Sequence, residues 1–261
     1  MMERVHLEPI DVVMLTKNSE HMLVKSLRSI YENVPVKRLI VIDGFSTDNT
    51  LKIMDGFNKK YGNVKIIFEK STRAKARERG IEEVTTPWFM FVDSDVVLCE
   101  GWFEKAQRYI DNDVGAIWGL NIDVIPNVKN KLFLKSLLLI ARECFNLRGG
   151  MHDTLIRHEL VKDIRIPERL HAYEDAYIVN WIKKKGYKAI VGDDIYCLHF
   201  RPSGDWALKQ SISLAVLEMK CGLVYLHVPK YTFFYPFFIL YWFLQVLNKN
   251  SGTSPRRAGQ R

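Results

Sequence analysis

From Asp11 to Asp93 the chain alternates short apolar runs with amphipathic stretches, and this alternation limits the fold more than any other feature. The apolar runs are "DVVMLT" (Asp11–Thr16), "RLIVID" (Arg38–Asp43), "VKIIF" (Val64–Phe68) and, after Pro87, "WFMFVD". Their length and β-branched content predict buried strands. Between the first two, Leu23, Leu27, Ile30 and Tyr31 mark one helical face. "GFSTDNT" supplies turn and capping residues for a second helix ending near Tyr61. A charged helix is expected over Arg73–Val84. A βαβαβαβ order implies an α/β fold with a mostly parallel, Rossmann-like central sheet flanked by helices and right-handed crossovers. Such sheets bind ligands beyond the carboxyl ends of their strands. Thr16, Asp43 and Asp93 sit at three of those ends, so their polar side chains are expected on one rim.

The second half is less regular. "GAIWGLNIDVIP" (Gly115–Pro126) reads as a strand and Lys131–Leu147 as an apolar-rich helix, in the core or at an interface. A further helix is expected near Tyr173–Gly186, followed by two strands, "KAIVG" and "IYCLHF". No internal repeat is visible. Near the end, "YTFFYPFFILYWFLQVL" (Tyr231–Leu247) carries no charge and is flanked by Lys230 and Lys249. As a helix it would be ~25 Å long, slightly short of a bilayer core, and rich in the aromatic residues that favour membrane interfaces. Membrane contact is therefore expected, inserted or lying flat. The expected organisation is one α/β domain over 1–225, with halves of about 10–98 and about 99–225. A membrane-associating segment over 226–249 and a disordered basic tail over 250–261 follow.

Side-chain chemistry concentrates in a few places. In "FMFVDSDVVL", Asp93 and Asp95 would point the same way if the strand continued through both. Like charges on one face repel, so a cation between or beside them is expected. Carboxylate oxygens suit Mg²⁺ or Mn²⁺. On the charged helix, Lys75 can pair with Glu78, and Arg79 with Glu82 or Glu83. Arg73 and Arg77 share a face without such a partner, which an anion opposite would relieve. In "YEDAYI", Glu174 and Asp175 are adjacent, about 100° apart on a helix, so one can face a site while the other faces elsewhere. His199 ends the last apolar run.

In their order these motifs resemble a family 2 glycosyltransferase with the GT-A fold, similar to the dolichol-phosphate-mannose-synthase-like and related membrane-associated members. The resemblance covers roughly Asp11–Pro202 and implies that the 1–225 domain is catalytic, with a nucleotide-sugar half over about 10–98 and an acceptor half over about 99–225. It implies donor-binding roles for Thr16, Asn18, Glu20, Asp43, Arg73, Asp93 and Arg201, with Asp43 at the position that contacts the nucleobase. It departs from the family at Gly44, where a second aspartate is common. It implies Asp95 and His199 as ligands of Mn²⁺ or Mg²⁺, and Asp175 as the general base. The expected reaction is inverting transfer of a sugar from a nucleotide-diphosphate sugar to a hydroxyl acceptor. That acceptor would be lipid-linked, membrane-borne or a glycan, and the enzyme would lie at the cytoplasmic face of a membrane.

Composition narrows the alternatives. A net charge of +8 over 261 residues favours an acidic partner. No nucleic-acid-binding module accompanies that charge, so nucleic acid is not an expected partner. Cys99, Cys144, Cys197 and Cys221 form no CxxC pair, which suits a reducing compartment. Met1–Pro9 lacks the apolar run of a signal peptide. The main rival is a haloacid-dehalogenase-like phosphatase with Asp93 as nucleophile, Asp95 as acid/base and "IVGDD" (Ile190–Asp194) as late metal-binding acids. It leaves "DGFSTDNT" and "YEDAY" without a role. A catalytically silent sugar-nucleotide binder would not need Asp95, Asp175 and His199 together.

Overall fold

The computed structural model describes residues 7–124, 150–168, 170, 174–200 and 240. The chain divides into two compact units, Met1–Gly204 and Asp205–Arg261, and every described residue except Leu240 belongs to the first. Lys131–Leu147, Arg201, the Tyr231–Leu247 segment (apart from Leu240) and the basic tail lie outside the described residues. Among the described residues no helix is long and apolar enough to cross a membrane.

One eight-stranded sheet organises the first unit. Its strands are β1 (Ile10–Thr16), β2 (Val36–Asp43), β3 (Val64–Phe68), β4 (Trp88–Val92), β5 (Val96–Leu98), β6 (Val114–Asp123), β7 (Asp153–Arg157) and β8 (Lys188–His199). Their spatial order is β3-β2-β1-β4-β7-β6-β8-β5. The helices are α1 (Glu20–Asn33), α2 (Thr50–Tyr61), α3 (Arg73–Glu82), α4 (Trp102–Gln107) and α5 (Glu174–Lys184).

The first half folds as its pattern predicts: β3, β2, β1 and β4 are parallel neighbours. The apolar faces of the crossover helices explain why. Leu23, Leu27 and Ile30 of α1 and Met54 of α2 are fully buried with Val12, Met14, Leu39 and Val41 of the sheet. Each such side chain contributes about 1.5–3 kcal/mol. Helix α2 stops at Gly62, whose φ of 69° lets its N–H reach the Asn58 carbonyl. Helix α3 starts at Thr72, whose hydroxyl accepts the Lys75 N–H. It lies so close to β1 that a Cβ on Gly80 would fall 2.5 Å from Val13 Cγ1.

The second half adds antiparallel pairing to the expected, mostly parallel sheet. Strand β7, which the sequence pattern does not reveal, enters antiparallel between β4 and β6. The expected strands "KAIVG" and "IYCLHF" are one strand, β8, parallel to β6 with a register shift between Trp118 and Leu120. Strand β5 closes the edge antiparallel to β8. The sheet is therefore mixed, and the pairing of β5 with β8 brings Asp95, in the turn before β5, beside His199.

Candidate active site

The carboxyl ends of β1, β2 and β4 form the expected rim. At its left side, two loops are stitched together. Thr16 Oγ1 donates to Asp43 Oδ2 at 2.7 Å. The Ser46 N–H and hydroxyl donate to the two oxygens of the same carboxylate at 2.7 and 2.6 Å. Asp43 is fully buried, so its carboxylate acts inside the turn. Asn18, at φ 51°, accepts the Thr47 N–H through Oδ1 at 2.9 Å. Glu20 accepts both N–H groups of Asn49, at 3.0 and 2.7 Å, which hold its carboxyl below the usual range. Thr16, Asn18, Glu20 and Asp43 thus brace the β1–α1 loop against the β2–α2 loop.

Strand β4 ends before the aspartates, so Asp93, Ser94 and Asp95 form a turn into β5 instead of sharing one strand face. Their carboxylates diverge. Asp93 Oδ1 meets Arg77 Nη2 at 3.3 Å, and Asp95 Oδ2 lies 3.2 Å from His199 Nε2. The cation beside Asp93 is therefore a guanidinium. Arg77 is buried, its Cζ 5.0 Å from the centre of the Phe91 ring, and its Nε reaches Glu174 Oε1 at 3.1 Å. Burial opposes its charge, but Asp93, Glu174 and Asp175 together hold it charged. The anion that the Arg73–Arg77 face needs is thus, for Arg77, internal to the protein. Arg73, one turn earlier, stays exposed at the start of α3, with no ion pair among the described residues.

Glu174 and Asp175 divide as their adjacency allows. Glu174 is buried against Arg77, and burial pushes its carboxyl up against the pull of that guanidinium. Asp175 is half-buried in the first turn of α5, with Oδ1 accepting the Ala176 N–H at 2.7 Å. The ion pair therefore engages Glu174, while Asp175 forms no ion pair among the described residues.

Asp95 and His199 are held by the β5–β8 ladder, which pairs Val96 with His199. The Phe200 N–H adds a bond to the Asp95 carbonyl at 2.9 Å. The remaining ring nitrogen, His199 Nδ1, lies 3.3 Å from Asn121 Nδ2, while Asn121 Oδ1 is buried without a hydrogen-bond partner. Turning that amide over would let Oδ1 accept Nδ1–H and leave the Nε2 lone pair facing Asp95. Amide orientation is assigned from such networks, and a metal-ligating histidine needs this second partner. The pair therefore fits a divalent cation.

A second cluster went unnoticed in the sequence. His152, Asp153 and Cys197 place ligand-type atoms within 4.8 Å of one another, all buried. Asp153 Oδ1 lies 2.6 Å from His152 Nδ1, and Oδ2 accepts Trp102 Nε1–H and the Gly119 N–H at 2.9 and 3.1 Å. With both oxygens engaged, this is a hydrogen-bonded core brace. It backs the site directly, because the His152 carbonyl accepts the Asp93 N–H at 3.1 Å. Burial alone would lower the His152 pKa. The Asp153 carboxylate, with Asp93 and Asp175 beyond it, outweighs that and raises it.

A cavity of about 250 Å³ opens past the ends of β1, β2 and β3, lined by Lys17, Gly44, Glu69, Lys70, Ser71, Thr72 and Glu168. A larger one, about 330 Å³, opens at the other end of β4 beside Trp88 and Arg157 and includes none of the rim residues.

The family model described as glycosyl transferase family 2 matches residues 11–159. This chain belongs to that family. It is 27% identical over 220 residues to the minor teichoic acid biosynthesis protein GgaB of Bacillus subtilis, covering 76% of this chain and 24% of that protein. It is 25% identical over 236 residues to a cholesterol galactosyltransferase of Borreliella burgdorferi, covering 82% of this chain and 65% of that one. It thus spans less than two thirds of either relative. Among solved structures, the mannosyltransferase PcManGT from Pyrobaculum calidifontis, in complex with GDP-Man and Mn²⁺, superimposes with a TM-score of 0.63 at 18% identity. The match covers 78% of this chain and 60% of that one. TarS 1-349 of S. aureus, in complex with UDP-GlcNAc, gives 0.58 at 19% identity, covering 76% and 60%. These likenesses show a shared fold.

The phosphatase reading finds no support beside this family match. Asp93 is paired with Arg77, and the Asp193 and Asp194 carboxylates of "IVGDD" are taken by Tyr109 and Arg108.

Proposed function

We propose that this chain is an inverting glycosyltransferase moving a sugar from a nucleotide-diphosphate donor to a hydroxyl of a lipid-linked, membrane-borne or glycan acceptor. The observation that carries the reading is that, in a family 2 fold, Arg77 ties the Asp93 turn to the Glu174–Asp175 turn while Asp95, two residues on, meets His199. Asp95 and His199 would hold Mn²⁺ or Mg²⁺, which supplies charge neutralisation for a departing nucleoside diphosphate. Arg73, exposed on the first turn of α3, adds positive charge for the same oxygens. Asp175 accepts the proton of the acceptor hydroxyl as it attacks the anomeric carbon from the face opposite the leaving group, which inverts the configuration. Glu174 and Arg77 hold the first turn of α5 against the Asp93 turn. Arg201 would join the donor contacts from beyond β8.

Relatives support the donor and acceptor classes: GDP-Man and UDP-GlcNAc complexes among the structures, a teichoic acid protein and a cholesterol galactosyltransferase among the sequences. The aromatic Tyr231–Leu247 segment, flanked by lysines, would keep the enzyme at the cytoplasmic face of a membrane carrying its acceptor. The test is a thermal-shift screen of nucleotide sugars with and without Mn²⁺, since a bound donor stabilises the fold in proportion to ln(1 + [L]/Kd). Stabilisation by one donor that needs metal, and is lost in Asp95→Ala, is the expected result. Donor binding unchanged in excess chelator removes the metal from the reading. No stabilisation by any nucleotide sugar overturns it.

A further inference from the structure

The cavity beyond β1, β2 and β3 has a charge pattern that the motifs do not explain. Asp43, the aspartate expected to meet the base, is fully buried with its oxygens bonded to Thr16 and Ser46. At the next position Gly44 brings no side chain, and a Cβ there would fall 3.2 Å from Lys17 Cδ. The lysine stem therefore lies over the turn, where a larger residue would crowd it. Of the carboxylates lining the cavity, Glu168 is exposed, and the half-buried one is Glu69, just past the end of β3. Its backbone is fixed, because the Glu69 N–H donates to the Asp43 carbonyl at 3.0 Å. Its neighbour Phe68, the last residue of β3, packs at a tilt against Phe45, ring centres 5.4 Å apart. Lys17 and Lys70 line the same cavity, yet among the described residues neither forms an ion pair with Glu69.

We propose that Glu69 and the cavity lysines select a guanine nucleotide as the donor, an inference that rests on the donor-binding reading above. A carboxylate offers two parallel acceptors and no donor. Guanine presents two adjacent N–H groups, N1–H and N2–H, which match that fork. It also presents O6 and N7 as acceptors, which a lysine reads. Uracil offers a single N–H flanked by two carbonyls, so a carboxylate there gains one bond and faces a repelling oxygen. Adenine and cytosine each pair one amino donor with a ring acceptor, which again leaves one carboxylate oxygen unmatched. Of the four bases, guanine alone engages both oxygens of a carboxylate while still offering acceptors to a lysine.

The experiment is calorimetric titration of the full chain, in Mn²⁺, with GDP, UDP, ADP and CDP, repeated on Glu69→Gln and Lys17→Met. GDP is expected to bind at least ~10-fold more tightly than the others, the scale of one bidentate base contact. Glu69→Gln should remove most of that advantage while changing UDP affinity by no more than about twofold, because an amide keeps one acceptor but replaces the other with a donor. Lys17→Met should weaken GDP more than UDP. UDP binding as tightly as GDP, or Glu69→Gln weakening all four equally, overturns the guanine assignment and leaves the donor site standing. Absence of binding by all four nucleotides overturns the donor site and this assignment with it.

Discussion

Arg77 is the side chain whose loss should tell most about how this site is built. It is 6% exposed and bridges Asp93, which follows β4, to Glu174, which opens α5. Replacing it with methionine keeps the length of the side chain but leaves Glu174, itself 5% exposed, as a buried carboxylate without its cation. Breaking a buried pair from one side costs about 3–5 kcal/mol. For a chain of this size that corresponds to a fall in Tm of roughly 6–20 °C. Arg77→Lys keeps the charge but not the fork that serves two carboxylates, nor the stacking on Phe91, so an intermediate loss is expected. The assay is a double-mutant cycle in urea with Arg77→Met, Glu174→Gln and the pair. Removing both charges should restore much of what the arginine variant lost, giving a coupling energy of about 1–3 kcal/mol. Transfer should drop even in the stable double variant, because the turn carrying Asp175 loses its tie to the Asp93 turn. A cost below about 1 kcal/mol for Arg77→Met, or strictly additive variants, would refute the bridge.

Asp175→Asn should lower kcat by ~10²-fold or more while donor affinity stays nearly constant, and unchanged turnover when chemistry limits the rate would exclude it as the base. The raised pKa of His152 makes a signed stability prediction. Its contribution is fully present below the ordinary imidazole value of about 6.5 and is lost as pH rises through the raised folded value. The stability gap between the native chain and His152→Asn, read from urea melts, should therefore shrink as pH rises above about 6.5, and a constant gap would show that the ring acts only by packing. If Tyr231–Leu247 contacts a membrane as proposed, the full chain should sediment with anionic vesicles, and Phe237→Glu with Phe238→Glu should abolish this. Full-chain partitioning that ignores those charges would count against membrane contact through Tyr231–Leu247.

Much of the first half of the fold is legible in the residues. Apolar runs such as Asp11–Thr16 and Val64–Phe68 alternate with helical faces like Leu23–Leu27–Ile30, and local periodicity is enough to specify parallel crossover units and the rim where Thr16, Asp43 and Asp93 end. The order of "DSD", "YEDAY" and His199 likewise gave the family, since short motifs in sequence order are a one-dimensional property. What the sequence left open depends on contacts between distant residues. Strand β7, "DTLIR", has no clean alternation because it is buried on both faces between β4 and β6, and its antiparallel entry makes the sheet mixed. The two arginines spaced four apart on α3 look alike in sequence, yet one is buried between two carboxylates and the other stays exposed, because α5 docks against only one of them. Asp93 and Asp95 part company for the same reason: the chain turns between them, and the neighbour each meets, Arg77 or His199, is brought there by a different part of the sheet. Composition and spacing determine which elements form and which chemistry is present; the tertiary packing decides which charge faces substrate and which is consumed within the protein, since burial and pairing are properties of the assembled fold.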